Sequence, residues 1–523
     1  MEVLFTKTIS FKRYFYLFGL SVLIAAIPTS NYMMSVSQLM LGVAWLLEGN
    51  FKERLKHLLA NRFFWAIFSI FLLHIIGLIH TSDFTYAWKD LRTKIPLFVL
   101  PFIIFSMPIL NQRESRFLIW IHTATLAVTA LIGLFLGLKE EFINYRFFSP
   151  GISHIRFSLN ICLSIVLLFY EINQQKNWNQ KIPGLIFIIF FFLYLILFGA
   201  TTGSMISAFL LIAWILYILA KKLPVWITTL VWIASIGAIL YGIYSIDRKL
   251  EEIKNYKPLR DFSQLPATTS RGNPYLHDTL YFGKENGNWV GLYYCEKELV
   301  ESWSKRSTLD FYGKDLCGQP LMATIVRYLN SKGLTKDADG LAKLSDEEIR
   351  NIEKGVANAK QLTRNAFARA LDEFFFGYEK YLDGYGTQGN SIMQRYELIK
   401  ASINIIKKSP LAGVGTGDIP QVFHNQLVEM NSDLKDTRLR SHNQFLSITI
   451  GFGIPGLIFF LIALFYPSIH SRFDFRLTAF TFIIFISMLN EDTIETQAGV
   501  TFFAFFMTFL SMLATETSKP RTS

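Results

Sequence analysis

Residues 443–467 read NQFLSITIGFGIPGLIFFLIALFYP, with no Asp, Glu, Lys or Arg among them. A helix that crosses a bilayer needs about 20 mostly apolar residues, within a range of about 17–25. This segment fits. Eleven others share its lack of formal charge: 14–29, 31–47, 63–80, 95–110, 117–137, 157–170, 183–200, 203–220, 223–246, 477–489 and 496–514. Their histidines are His74, His80 and His122. The pattern predicts an all-α polytopic membrane protein of about twelve transmembrane helices. Composition agrees. Of 523 residues, 51 % are hydrophobic and 17 % charged, against about 25 % charged in a typical soluble protein. The same figures exclude a disordered, collagen-like or disulfide-rich chain.

The net charge is +11, so a nucleic-acid partner has to be weighed. The location of the charge speaks against it. With the N-terminus inside, the inner segments carry Lys7, Lys12, Arg13, Lys52, Arg54, Lys56, Arg62, Arg113, Arg116, Lys176, Lys181, Lys221, Lys222, Arg472, Arg476, Lys519 and Arg521. The short outer segments carry only Lys89, Arg92, Lys94, Lys139, Arg146 and Arg156. This asymmetry predicts both termini on the cytoplasmic side. The excess is spread along inner loops and forms no basic stripe that would release counterions from nucleic acid. The first span lacks a small-residue cleavage site and runs directly into the second, unlike a signal peptide.

One connection stands apart. Residues 247–441 hold 28 Lys and Arg against 26 Asp and Glu, and the orientation places them on the outer face. The expected organisation is a membrane domain over 1–246, a periplasmic α+β loop domain over 247–441 between spans nine and ten, and a second membrane part over 442–523. Within the loop, 279–283 and 289–294 flank Glu285-Asn286-Gly287-Asn288, a hairpin signal. Tyr275, Tyr281, Trp289, Tyr293 and Trp303 either stack on sugar rings or, the plainer reading, fill a small core. Cys295 and Cys317 lie on the oxidising side and suit a structural disulfide. Ser345-Asp346-Glu347-Glu348 is a capping box opening a helix with Ile349, Ile352, Val356 and Leu362 on one face. Phe374-Phe375-Phe376 and Tyr378 suit either the membrane interface or packing on the hairpin. Ser391 is expected to cap a helix over 392–408, which Pro410 ends.

The stretch from 391 to 456 carries the chemistry. Arg395-Tyr-Glu-Leu-Ile-Lys400 precedes Ser409-Pro410-Leu-Ala-Gly413-Val-Gly415-Thr-Gly417-Asp418. Then come Ser441-His442-Asn443-Gln-Phe-Leu446 and Gly451-Phe-Gly453-Ile-Pro-Gly456. These motifs, in this order and beside a span, resemble the O-antigen ligase and O-antigen polymerase (Wzy-C) family. The resemblance implies a membrane glycosyltransferase with a GT-C-like architecture, metal-independent and inverting, with no cofactor, acting at the periplasmic face of a bacterial inner membrane. Its donor would be a glycan on undecaprenyl diphosphate. Its acceptor would be a sugar hydroxyl of lipid A–core in a ligase, or another lipid-linked glycan in an O-antigen or exopolysaccharide polymerase. Membrane lipids complete the expected partners, and nucleic acid is not among them.

The residue chemistry suits that role. Cleavage of the sugar C1–O bond builds charge on the departing diphosphate, which fixed Arg side chains stabilise. Arg395, one turn into a helix, is the first candidate. The alternative is a surface Arg paired with Glu397. His442, just before span ten, has the pKa range of a general base for the acceptor hydroxyl. Asn443 follows it. His424-Asn425 is a second pair but precedes no span. Arg92, His154 and Arg156 sit on the outer side against the orientation bias, where they serve either as a second diphosphate clamp or as anchors to anionic lipid. The family often has an Arg early in span eight. Here that stretch is Thr201-Thr202-Gly203-Ser204-Met205 and lacks it, so Arg156 or Arg92 would substitute. Glu491 and Asp492, in the turn with Glu495 before the last span, would orient His442 or bind acceptor sugar. The alternative is a solvated acidic turn. A protein O-oligosaccharyltransferase shares this chemistry. A transporter or flippase fits less well, because the spans bury no charge and the outer domain is large.

Overall fold

The computed structural model describes residues 11–139, 149, 151–197, 203, 206–209, 224–255, 265–279, 283–285, 288–362, 366–384, 386–387, 390–437 and 440–517. Helix dominates. The first helices are α1 (Phe11–Ala26), α2 (Asn31–Glu48), α3 (Phe51–Leu59), α4 (Arg62–Ile76), α5 (Phe84–Lys94), α6 (Pro96–Ser106), α7 (Gln112–Lys139), α8 (His154–Gln174), α9 (Trp178–Leu197) and α10 (Val225–Asn255). A two-stranded hairpin, β1 (Lys284–Glu285) and β2 (Asn288–Trp289), follows. Then come α11 (Glu296–Trp303), α12 (Leu321–Ser331), α13 (Ala338–Ala342), α14 (Asp346–Glu353), α15 (Ala366–Leu382), α16 (Ser391–Lys408), α17 (Ile419–Glu429), α18 (Gln444–His470), α19 (Phe475–Asn490) and α20 (Gln497–Thr517). The chain divides into two compact units. One comprises residues up to 219 with 398–431 and 435–523, the other 220–397 with 432–434.

The first unit is a helical bundle. Among the described residues, six helices are long and apolar enough to cross a membrane: Arg62–His80, Gln112–Leu138, His154–Gln174, Trp178–Leu197, Gln444–His470 and Gln497–Thr515. Phe475–Asn490 is a shorter apolar helix. Of the most apolar window of α20, 94 % is buried, against 22 % for α9. A helix buried on every side belongs at the centre of a bundle. Phe502, Phe503, Phe505, Phe506 and Phe509 supply that centre. Side chains just ahead of the helices fix their starts: Ser30, Asn61, Asp83 and Ser153 accept first-turn N–H groups of α2, α4, α5 and α8.

Two expected spans differ in detail. The helix within 95–110 is α6, with only 11 residues. Ile95 keeps helical backbone, so α5 runs into α6, and Pro96 occupies a first-turn position where its missing N–H leaves no bond unmade. Lys94 is carried into the interior by that continuity and is fully buried. The span at 443–467 is broken at Gly453, whose φ of 68° and ψ of −175° are not helical.

The second unit has its own core, with Val290, Leu299, Trp303, Leu321, Ile325, Tyr328 and Ile352 buried together. The expected hairpin pairs Lys284 opposite Trp289 and Glu285 opposite Asn288; Asn286 and Gly287 lie outside the described residues. Beyond it, Tyr294 bridges both Leu276 and Lys336, and residues 280–282 of the expected first arm lie outside the described residues. Trp303 is a core residue, and Trp289 lies under the Lys284 ammonium; Tyr281 lies outside the described residues. The capping box at Ser345 forms with both its hydrogen bonds. Its helix ends at Glu353, short of Val356 and Leu362, because Gly355 turns the chain at φ 85°. Asn390, one residue before the expected Ser391, caps α16. Cys295 and Cys317 are free thiols, one buried and one exposed, so the expected disulfide is absent. Phe376 packs under the Arg327 guanidinium at 4.2 Å, and α15 lies on β1.

Candidate active site

The broken helix α18 creates the first element of the site. Just before the break, the carbonyls of Ile450 and Gly451 have no helical partner, since Ile454 N–H points to Pro410 and Pro455 has no N–H. The glycine turn at 410–418 supplies one: Val414 donates to Ile450 at 2.8 Å and Gly415 to Gly451 at 2.9 Å. Ile454 returns a bond to the Pro410 carbonyl at 2.8 Å. The same turn ties down the end of α4, with Thr416 Oγ1 donating to the His74 carbonyl at 2.6 Å. Gly413 adopts φ 70°, and a Cβ there would lie 2.4 Å from the Gly451 carbonyl carbon. The glycines of the motif are therefore the condition for close docking of one backbone on another. Asp418 ends the turn by accepting from the Ser82 and Asp83 N–H groups, each at 2.8 Å.

The second element is the turn Arg440-Ser441-His442-Asn443-Gln444, which enters α18. Asn443 caps the helix by accepting from Leu446 N–H at 3.0 Å and donates to the Leu489 carbonyl at 3.0 Å. His442 has φ 50°, a left-handed conformation uncommon outside glycine. Asp492 holds it there. One Asp492 oxygen accepts the His442 N–H at 3.0 Å, and the other accepts the Ser441 and Ser447 hydroxyls at 3.1 and 2.7 Å. Burial raises the Asp492 pKa, an effect the Ser447 hydroxyl partly offsets. The His442 imidazole is about one third exposed, with Nδ1 3.8 Å from the Glu491 carboxylate.

Arg156 joins the same turn. It is buried at the start of α8, and its Nη2 donates to the Asp492 carbonyl at 3.2 Å. Its Nη1 has no hydrogen-bond partner among the described residues. Asp492 thus links a histidine and an arginine that are far apart in sequence. The other expected residues lie elsewhere. Arg92 is exposed in the last turn of α5. His154 is exposed at the first position of α8. Arg395 is half-buried on α16, in the second unit. His424 is occupied on α17, its Nδ1 2.8 Å from the Lys435 carbonyl. In the stretch where the span-eight arginine is missing, only Gly203 is among the described residues.

A buried charge cluster completes the site and involves residues not singled out from sequence. Lys94 Nζ lies 2.5 Å from Asp90 and 2.8 Å from Glu495. Asp90 also faces His74 Nδ1 at 3.3 Å. Glu495 accepts from Arg440 as well, and from Gln444 Nε2 at 3.0 Å. Burial alone would raise the Glu495 pKa, but Lys94 and Arg440 hold it well below the usual carboxylate range. The signal for this cluster was the four-residue spacing of Asp90 and Lys94. Nothing local marked Lys94 as buried.

These motifs coincide with a family match. Residues 345–461 match the model of the O-antigen ligase family. That segment is an O-antigen ligase family domain. It runs from α14 through the glycine turn and His442 into α18. The O-antigen ligase match stops short of Asp492 and Glu495 and excludes Arg156 and Lys94, so those partners come from sequence outside it. No curated protein matches the chain.

Proposed function

We propose that the protein is an O-antigen ligase-like glycosyltransferase of the bacterial inner membrane, moving a glycan from undecaprenyl diphosphate to a sugar hydroxyl of lipid A–core at the periplasmic face. His442 takes the proton of the acceptor hydroxyl as its oxygen attacks C1 of the donor sugar from the side opposite the diphosphate. The C1–O bond breaks, the configuration inverts, and undecaprenyl diphosphate leaves. No metal is required in this scheme. Arg156 stabilises the leaving diphosphate, with Arg92 and His154 as further contacts for lipid phosphate; Arg395, on the second unit, is taken separately as a contact for donor phosphate. Glu491 orients the imidazole through Nδ1, leaving the other ring nitrogen for the hydroxyl. Asn443 fixes the start of α18.

One observation carries the reading: Asp492 takes both the His442 N–H and an Arg156 N–H, so a base and a cation with an uncommitted donor share one anchor. The family match at 345–461 supports the same chemistry. A deletion strain tests it. Lipid-linked polymer accumulating while lipid A–core stays bare is the expected result. Lipopolysaccharide bearing a single repeat would favour the second reading, an O-antigen or exopolysaccharide polymerase using the same donor. Unchanged glycan with a small-molecule transport defect would overturn both.

A further inference from the structure

Glu495 receives two side chains that bracket His442 in sequence. Arg440 stands two residues before it and Gln444 two residues after, and both donate to the one carboxylate. Gln444 is itself fixed from behind, its Oε1 accepting the Ile494 N–H at 2.8 Å. The carboxylate is held in turn by Lys94, fully buried on α5, and Lys94 by Asp90. Arg440 also lies over the Tyr86 ring of α5, 5.6 Å from its centroid. A chain of buried contacts therefore runs from α5 through Glu495 to both flanks of the histidine.

We propose that the Lys94–Glu495 pair positions His442 for the transfer reaction, acting through Arg440 and Gln444 and touching no substrate itself. This rests on the reading of His442 as the base. A left-handed histidine is not held by its own backbone preference, and the Asp492 bond fixes only its N–H. The flanking residues set the direction in which the ring projects. A carboxylate one methylene shorter keeps its charge beside the buried ammonium but no longer spans both flanks. A shift of about 1 Å in a reacting group costs on the order of 10²-fold in rate.

The test uses the full chain in nanodiscs, with lipid-linked glycan extracted from the parent strain as donor. Glu495→Asp and Arg440→Lys are compared with wild type for thermal midpoint, kcat, KM and the rate at which diethyl pyrocarbonate modifies His442. The expected result is a wild-type midpoint, KM within about 2-fold, kcat lower by about 10- to 100-fold, and an altered His442 modification rate. Wild-type kcat in both variants would overturn the proposal. So would a loss of activity no larger than the loss of folded protein. If wild type transfers no glycan, the functional reading fails, yet the His442 modification rate still decides whether Glu495 positions the ring: an unchanged rate in both variants overturns the proposal.

Discussion

His442 keeps φ 50° because three neighbours leave it no alternative: Asp492 on its N–H, and Arg440 and Gln444 drawn to Glu495. Its replacement should act on chemistry alone. His442→Ala is expected to lower transfer by about 10²- to 10⁴-fold, the usual worth of a general base, with protein level and thermal midpoint unchanged; transfer near wild type would remove it from the base role. Glu495 behaves differently, because its charge also supports the fold. Its pKa lies well below the ordinary 4.5 in the folded protein, so the ionised form favours folding. That contribution is complete above about pH 4.5 and is lost as pH falls through the lowered value. Glu495→Gln should therefore reduce the thermal midpoint at neutral pH, since breaking a buried pair costs about 3–5 kcal/mol. The gap to wild type should narrow below pH 4.5. A gap that stays constant down to pH 3 would contradict this ionisation state. At this scale the His442-Asn443 motif was visible from its place before a span, and Asp492 as a member of the acidic turn before the last one; that Asp492 accepts the His442 N–H was not. Lys94 was not, because a lysine at a helix end usually reaches water.

At the level of elements, the break in α18 and the glycine turn are two halves of one device. The break frees carbonyls, and the turn satisfies them. Gly413→Ala and Gly453→Ala each place a Cβ within 2.4 Å of backbone atoms and force a side chain into positive φ. Both should lower the yield of monodisperse protein sharply, measured by size-exclusion of a fluorescent fusion. Gly42→Ala is the contrast. Nothing lies within 4 Å of its Cβ position in α2, and replacing a helical Gly by Ala gains about 0.5–1 kcal/mol. A normal yield from the two turn variants would mean that the docked turn is dispensable. The glycine motif was visible in sequence. That its first partner is the broken span was not, since an unbroken helix over 443–467 satisfies the same apolar pattern.

For the whole molecule, the proposed outer placement of the loop domain rests on the distribution of Lys and Arg, and the free cysteines provide a test. Cys317 is exposed, whereas Cys162 and Cys295 are buried. In intact cells with a permeabilised outer membrane, a membrane-impermeant maleimide should label Cys317 and spare the other two. Labelling only after the inner membrane is opened would reverse the orientation. The disulfide expected at Cys295 and Cys317 does not form: Cys295 is buried, and the exposed Cys317 thiol donates to the Lys354 carbonyl at 3.1 Å. The domain builds an apolar core around Trp303 and Tyr328 that needs no covalent staple.

What the sequence determined by itself was local: apolar runs long enough for helices, capping residues at their starts, the hairpin turn and the order of the family motifs. Each depends on neighbours within a few residues, so each can be read in a single pass along the chain. The tertiary structure decided which charges are buried and what they hold. Lys94 meets Glu495 across 401 residues of sequence, and Arg156 meets Asp492 across 336. A charge is stable in a protein interior only when its partner is present, and no property of either residue alone names that partner.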